Sequence, residues 1–136
     1  MKLLFSIIAG FIFFQSSAQN TQYHVVFDLT SQDTMTHKSV IRWLKGISSS
    51  NPDAKLEVVM YGQSLSMVTA EKSIVSSDIT ELLKNKNVSF KVCEAAMRRH
   101  MLTKEQFIAG VETVPDGIYE IISKQKEGWG YIKVGN

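Results

Sequence analysis

Cys93 is the only cysteine among 136 residues, and its setting suggests a chemistry. It follows Val88-Ser89-Phe90-Lys91-Val92, where apolar and polar residues alternate as in a strand. It precedes Glu94 to Met101, which opens as a helix. A thiol at a strand end and helix start meets unpaired N–H groups and the positive end of the helix dipole, and both favour the nucleophilic thiolate. Lys91, Arg98, Arg99 and His100 add positive charge nearby, while Glu94 works against it. The same residue type also serves as a small buried apolar side chain, and a lone cysteine is a weak motif.

Other reaction centres lack their residues. His24, His37 and His100 do not have metal-ligand spacing, with no two at i, i+4. No Gly-x-Ser-x-Gly elbow and no glycine-rich phosphate loop is present, so no metal or cofactor is expected. A net charge of +2, from 15 basic and 13 acidic residues, is too small for an electrostatic footprint on nucleic acid or acidic lipid. Arg98-Arg99-His100 reads as a solvated face, Asn87-Val88-Ser89 as a chance match to a glycosylation acceptor, and Trp43 and Trp129 as packing or interface residues.

The elements that must position Cys93 alternate along the chain. Tyr23–Leu29 is an apolar run suited to a strand covered on both faces, and Lys55–Tyr61 is a second strand stopped by Gly62. Between them, Val40, Ile41, Leu44 and Ile47 form the stripe of an amphipathic helix that ends in the Ser-rich loop before Pro52. Asp78 and Glu81 have capping-box spacing ahead of a short helix carrying Ile79, Leu82 and Leu83. Thr103 caps a further turn, and Ala109–Val114 is a fourth strand. Pro115 opens a helix lined by Ile118, Ile121 and Ile122, Gly128 ends it, and Trp129–Val134 is a fifth strand.

This alternation predicts a mainly parallel five-stranded sheet with right-handed crossovers and helices on both faces, a three-layer α/β/α sandwich. With 44% hydrophobic and 21% charged residues, the composition suits one globular domain over residues 19–136. In such sheets functional groups gather beyond the carboxyl ends of the strands. Besides Cys93, that rule selects Asp28, Gly62, Gln63, Ser64 and Glu94 as candidates for a ligand cleft.

The first 18 residues read as a secretory signal peptide. Lys2 precedes the apolar run Leu3–Phe14, and Ser16 and Ala18 supply the small residues of a cleavage site. The run is shorter than the roughly 20 residues that span a bilayer. The protein is thus expected to be periplasmic or secreted, with no membrane contact after cleavage. In an oxidising compartment Cys93 has no internal partner, leaving a free thiol, a link to another chain or a modified group.

Three segments together resemble the DsrE/DsrF-like family, in its small single-domain branch: Val88 to Cys93, Gly110-Val111-Glu112-Thr113-Val114-Pro115-Asp116-Gly117, and Gln125-Lys126-Glu127-Gly128-Trp129-Gly130-Tyr131-Ile132-Lys133. Asp28 and Gly62 also fall where that branch carries such residues. The resemblance implies a parallel α/β/α sandwich assembling into trimers or hexamers. It also implies that Cys93 carries sulfur as a persulfide between a donor and an acceptor protein, with Gly62 allowing close backbone approach and Asp28 orienting polar groups. Two departures stand out. Ala95 and Ala96 replace the small polar residues frequent after that cysteine, and Tyr61 stands where a histidine is common. They suit an alternative, a non-catalytic oligomeric module that binds a small ligand or a protein, with Cys93 structural. Exposed Trp129 and Tyr131 on the terminal strand are the expected contact surface between copies.

Overall fold

The computed structural model describes residues 22–135, so the apolar leader lies outside them. Five parallel strands form one sheet in the order β4-β3-β2-β1-β5: β1 His24–Leu29, β2 Lys55–Met60, β3 Val88–Cys93, β4 Glu112–Val114 and β5 Gly130–Val134. The connections contain α1 Thr34–Ser50, α2 Ser76–Leu82, α3 Glu94–Arg99 and α4 Gly117–Lys126. From β1 to β4 the chain steps across the sheet in one direction. The last crossover returns past β1, and right-handedness sends its helix, α4, to the opposite face.

Strand alternation divides the side chains between two unequal cores. Val25, Phe27 and Leu29 of β1, Leu56, Val58 and Met60 of β2, and Val88, Phe90 and Val92 of β3 face α1 and α2. There they meet Val40, Ile41, Leu44, Ile79 and Leu82. A fully buried side chain of this kind contributes about 1.5–3 kcal/mol, so this face carries most of the apolar stabilisation. The other core is small: Val26, Val59 and Ile121, flanked by Tyr61 and Trp129.

Local chemistry sets the helix ends. Asp33 caps α1 by accepting from the Thr36 amide at 2.8 Å and from the Thr36 hydroxyl at 2.8 Å. These bonds, the hydroxyl's first, hold its carboxyl below the usual range. At the far end of α4, the Trp129 amide reaches the Lys124 carbonyl and the Gly128 amide that of Gln125, both at 3.0 Å. That is the Schellman pattern, with Gly128 at φ +89.

Four expectations are corrected. Helix α2 starts at Ser76 with no side-chain cap, and Asp78, inside its first turn, pairs with Lys45 of α1 instead of capping. Strand β4 is only Glu112–Val114, because a turn through Gly110, at φ +93, occupies the residues before it. Of the three isoleucines expected to line α4, only Ile121 is buried, since one helix cannot bury all three against so narrow an apolar strip. Trp129 is half-buried, with the His24 ring centroid 5.1 Å away and Lys124 Nζ 4.8 Å from its ring, so it packs instead of facing outward.

Candidate functional site

Cys93 closes β3 and immediately precedes α3. The register pairs Met60 with Val92, which sets Tyr61 beside Cys93 at the carboxyl rim. Alternation turns Ser89 and Lys91 toward α4, while Cys93, where the strand gives way to α3, packs with the larger core and meets Gly117 of α4 through its Cβ. The chain leaves β3 into α3, whose Ala96 packs in the larger core, and leaves the adjacent β4 into α4 on the other face. Cys93 therefore occupies a point where neighbouring connections diverge, the place where open α/β sheets form crevices.

Here that crevice is closed. Asp116 caps α4 by accepting from the Ile118 and Tyr119 amides at 2.9 and 3.2 Å, which seats Gly117 directly on Cys93. A Cβ on Gly117 would lie 3.1 Å from Cys93 Cβ, 3.2 Å from Val59 Cγ1 and 3.6 Å from Tyr61 Cδ1. Glycine is what allows α4 to begin there. Cys93 is 7% exposed, so a thiol expected at an open rim is instead at the rim and covered.

Asp28 shares this face and is also buried. It accepts from the Tyr131 hydroxyl at 2.6 Å and from Lys133 Nζ at 3.3 Å, and Lys133 also reaches Thr30 Oγ1 at 2.9 Å. The bond to Asp28 pushes Tyr131 up to about 12. Tyr61 is also pushed up to about 12, first by burial and then by Asp28, with Tyr131 and Cys93 adding to it. Both phenols stay neutral donors through the physiological range. Lys133 Nζ lies 5.9 Å from the centre of the Tyr61 ring. Asp28, Tyr61 and Cys93 thus form one continuous group.

The other predicted cleft residues divide. Gly62 adopts φ +62, and its carbonyl is 2.6 Å from His100 Nε2, which ties the loop after β2 to the end of α3. Arg98-Arg99-His100 is accordingly less uniformly solvated than its composition implies. Gln63 is exposed and lines a crevice of about 220 Å³ with Gln32, Ser66, Lys72 and His100, a lining that includes neither Cys93 nor Asp28. Ser64 is fully buried, its hydroxyl within 2.8 Å of the Leu29 and Tyr61 carbonyls; it staples the ends of β1 and β2 and is not open to a ligand. Glu94, half-buried, accepts from Thr113 Oγ1 at 3.3 Å. Two broader depressions, of about 580 and 720 Å³, lie at the amino-terminal end of the strands around His24, Lys55 and Asn87, remote from the thiol.

One cluster escaped the sequence analysis. Lys91 Nζ lies 3.1 Å from Glu57 Oε2 on β2 and 3.1 Å from Glu120 Oε1 on α4. Lys124 Nζ stands 3.9 Å from each carboxylate. Burial, then the hydrogen bond with Glu120, pushes the Glu57 carboxyl up. Burial would raise Glu120 too, but its bonds to Glu57 and Lys91 outweigh that and hold it down. Burial likewise opposes the charge on Lys91, and the two carboxylates more than reverse the effect. Glu57 Oε1 is buried without a partner. The signals were the charged positions inside β2 and β3 and the i, i+4 spacing of Glu120 and Lys124.

A model of the DsrE/DsrF-like family matches residues 11–134. The chain belongs to the DsrE/DsrF-like family. Among solved structures it is similar to the protein of unknown function MTH1491 from Methanobacterium thermoautotrophicum, at 27% identity and a TM-score of 0.77 over 82% of this chain and 99% of that one. It shares the fold of ychN from E. coli, at 13% identity and a TM-score of 0.68 over 82% and 98% of the two chains. It also shares the fold of the conserved protein of unknown function BT1422 from Bacteroides thetaiotaomicron, at 14% and 0.64 over 82% and 94%. No curated protein matches the chain. As a DsrE/DsrF-like protein it carries its cysteine at the end of the third strand, with Gly117 packed against it.

Proposed function

We propose that this protein is an exported, sulfur-handling member of the DsrE/DsrF-like family in which Cys93 holds sulfane sulfur as a persulfide. The supporting observation is the sulfur's setting: a lone thiol at the carboxyl end of β3, grouped with Tyr61 and Asp28, in a chain of this family. In the loading step Cys93 thiolate attacks the terminal sulfur of a donor persulfide R–S–SH. A new S–S bond forms, the donor's S–S bond breaks, and R–S⁻ leaves with the electron pair, giving Cys93–S–SH. Discharge is the same displacement by an acceptor thiolate, with Cys93–S⁻ as the leaving group.

On this reading the partners are a sulfur donor protein, an acceptor protein and further copies of the chain in a trimer or hexamer, which light scattering would detect and a monomer at micromolar concentration would contradict. The leader Met1–Ala18 directs the chain to the periplasm or outside the cell. Intact-mass spectrometry after polysulfide treatment tests the central step. The wild type should gain multiples of the mass of sulfur that Cys93→Ser does not gain, and equal gains in both would end the proposal.

The cover over Cys93 and the apolar Ala95-Ala96 that follow it favour one other reading, a non-catalytic module whose assembly or ligand binding does not need the thiol. It predicts that Cys93→Ala binds and assembles as the wild type does. It also predicts a thiol unreactive toward polysulfide, where the sulfur-carrier reading predicts a reactive one.

A further inference from the structure

Helix α4 is the only helix on its face among the described residues, and its attachment is unusual. Its apolar footing is Ile121 against Val26 and Val59, while Ile118, Tyr119 and Ile122 face solvent. Gly117 adds close contacts with Cys93, Val59 and Tyr61 at its amino end, and the rest of the attachment is ionic. Lys91 bridges Glu57 of the sheet and Glu120 of the helix at 3.1 Å each, and Lys124 sits 3.9 Å from both carboxylates. The amino end of the same helix places Gly117 over Cys93. One element therefore both covers the thiol and is held by charges, not by a deep apolar seam. Ion pairs of this kind are sensitive to loss of a partner, because the remaining charge is left uncompensated.

We propose that α4 is a movable cover over Cys93, held shut by the Glu57–Lys91–Glu120–Lys124 cluster, and that partial release of this helix is the route by which reagents reach the sulfur. The larger core, in which Cys93 itself also packs, contains none of the four charged residues and does not depend on them. Opening on this side thus need not unfold the domain. The value of such a cover rests on the sulfur-carrier reading; its existence does not, since access to a thiol can be measured whether or not the thiol carries sulfur.

The test is the rate at which Cys93 reacts with dithiobis(nitrobenzoate). The thiolate forms a mixed disulfide and releases one thionitrobenzoate, which is read by absorbance. Glu120→Gln and Lys91→Met should each label at least about tenfold faster than wild type while retaining native circular dichroism. The triple variant Glu57→Leu, Lys91→Met, Glu120→Leu replaces the ionic contact with an apolar one, leaves Lys124 its pairing with Glu127 at 3.5 Å, and should label no faster than wild type. It also serves as the control if Lys91→Met fails to fold. Wild-type labelling should depend only weakly on urea, far less than global unfolding does. Three results would overturn the proposal: folded Glu120→Gln labelling at the wild-type rate, the triple variant labelling as fast as the single ones, or a urea dependence equal to that of global unfolding.

Discussion

Gly117→Ala is the sharpest test of how Cys93 is enclosed. The added methyl would stand 3.1 Å from Cys93 Cβ and 3.2 Å from Val59 Cγ1. Neither neighbour yields easily. Cys93 Cβ is fixed by the strand backbone, and Val59 is fully buried and stiff about χ1. Overpacking of this kind costs about 1–3 kcal/mol. Replacing glycine by alanine in a helix returns up to about 1 kcal/mol, and less at a first helical position. The net expectation is a loss of about 1–2 kcal/mol, read as a lower urea midpoint at unchanged slope. If the strain is relieved by lifting the amino end of α4, Cys93 should also label faster. Gly46→Ala is the internal control. Gly46 lies inside α1 with nothing within 4 Å of an added methyl, and the same exchange should stabilise by about 0.5–1 kcal/mol. A Gly117→Ala protein as stable as wild type, beside a stabilised Gly46→Ala, would refute the argument that glycine is required for α4 to sit on the thiol.

Three further outcomes follow from the same contacts. Asp28→Asn removes the carboxylate that accepts from Tyr131 and acts on Tyr61, so ultraviolet titration should show Tyr131 ionising closer to 10 than to 12, while Tyr61, raised first by burial, should fall by less; because both are raised in the folded state, the wild type should lose stability as pH climbs through that interval and the variant should lose less of it. Ser64→Ala removes the one hydroxyl proton shared between the buried carbonyls of Leu29 and Tyr61, each of which keeps a backbone amide donor, and chemical denaturation should report a loss of about 0.5–1.5 kcal/mol. Burial raises the Glu57 carboxyl, so the wild type should lose stability as pH rises from below 4.5 toward neutrality, where the unfolded chain has released this proton and the folded chain still holds it, and Glu57→Gln should show a flatter pH dependence over that interval.

The parallel sandwich was legible because its strands are short apolar runs separated by one amphipathic stretch and several glycine or proline breaks. The alternation of Val88–Val92 even indicated which face of β3 is less apolar. The position of Cys93 was legible for the same reason. Its cover was not. That Gly117 rests on Cys93 follows from where the return crossover lands, and no local pattern encodes a contact made across the sheet. Ile118 and Ile122 looked like core because periodicity marks a stripe without saying how wide the surface beneath it is. The Asp78 cap failed because the helix begins at Ser76, which leaves Asp78 inside its first turn, where the carboxylate pairs with Lys45, 33 residues earlier. The Glu57–Lys91–Glu120–Lys124 cluster combines two strands and a helix, and each charge alone reads as an ordinary polar position.

Cyanolysis of polysulfide-loaded, desalted protein probes the central claim most directly, because cyanide removes only sulfane sulfur, releasing thiocyanate and restoring the thiolate. The account predicts close to one thiocyanate per wild-type chain and only background from Cys93→Ser. Equal yields from the two proteins, or none from either, would contradict it.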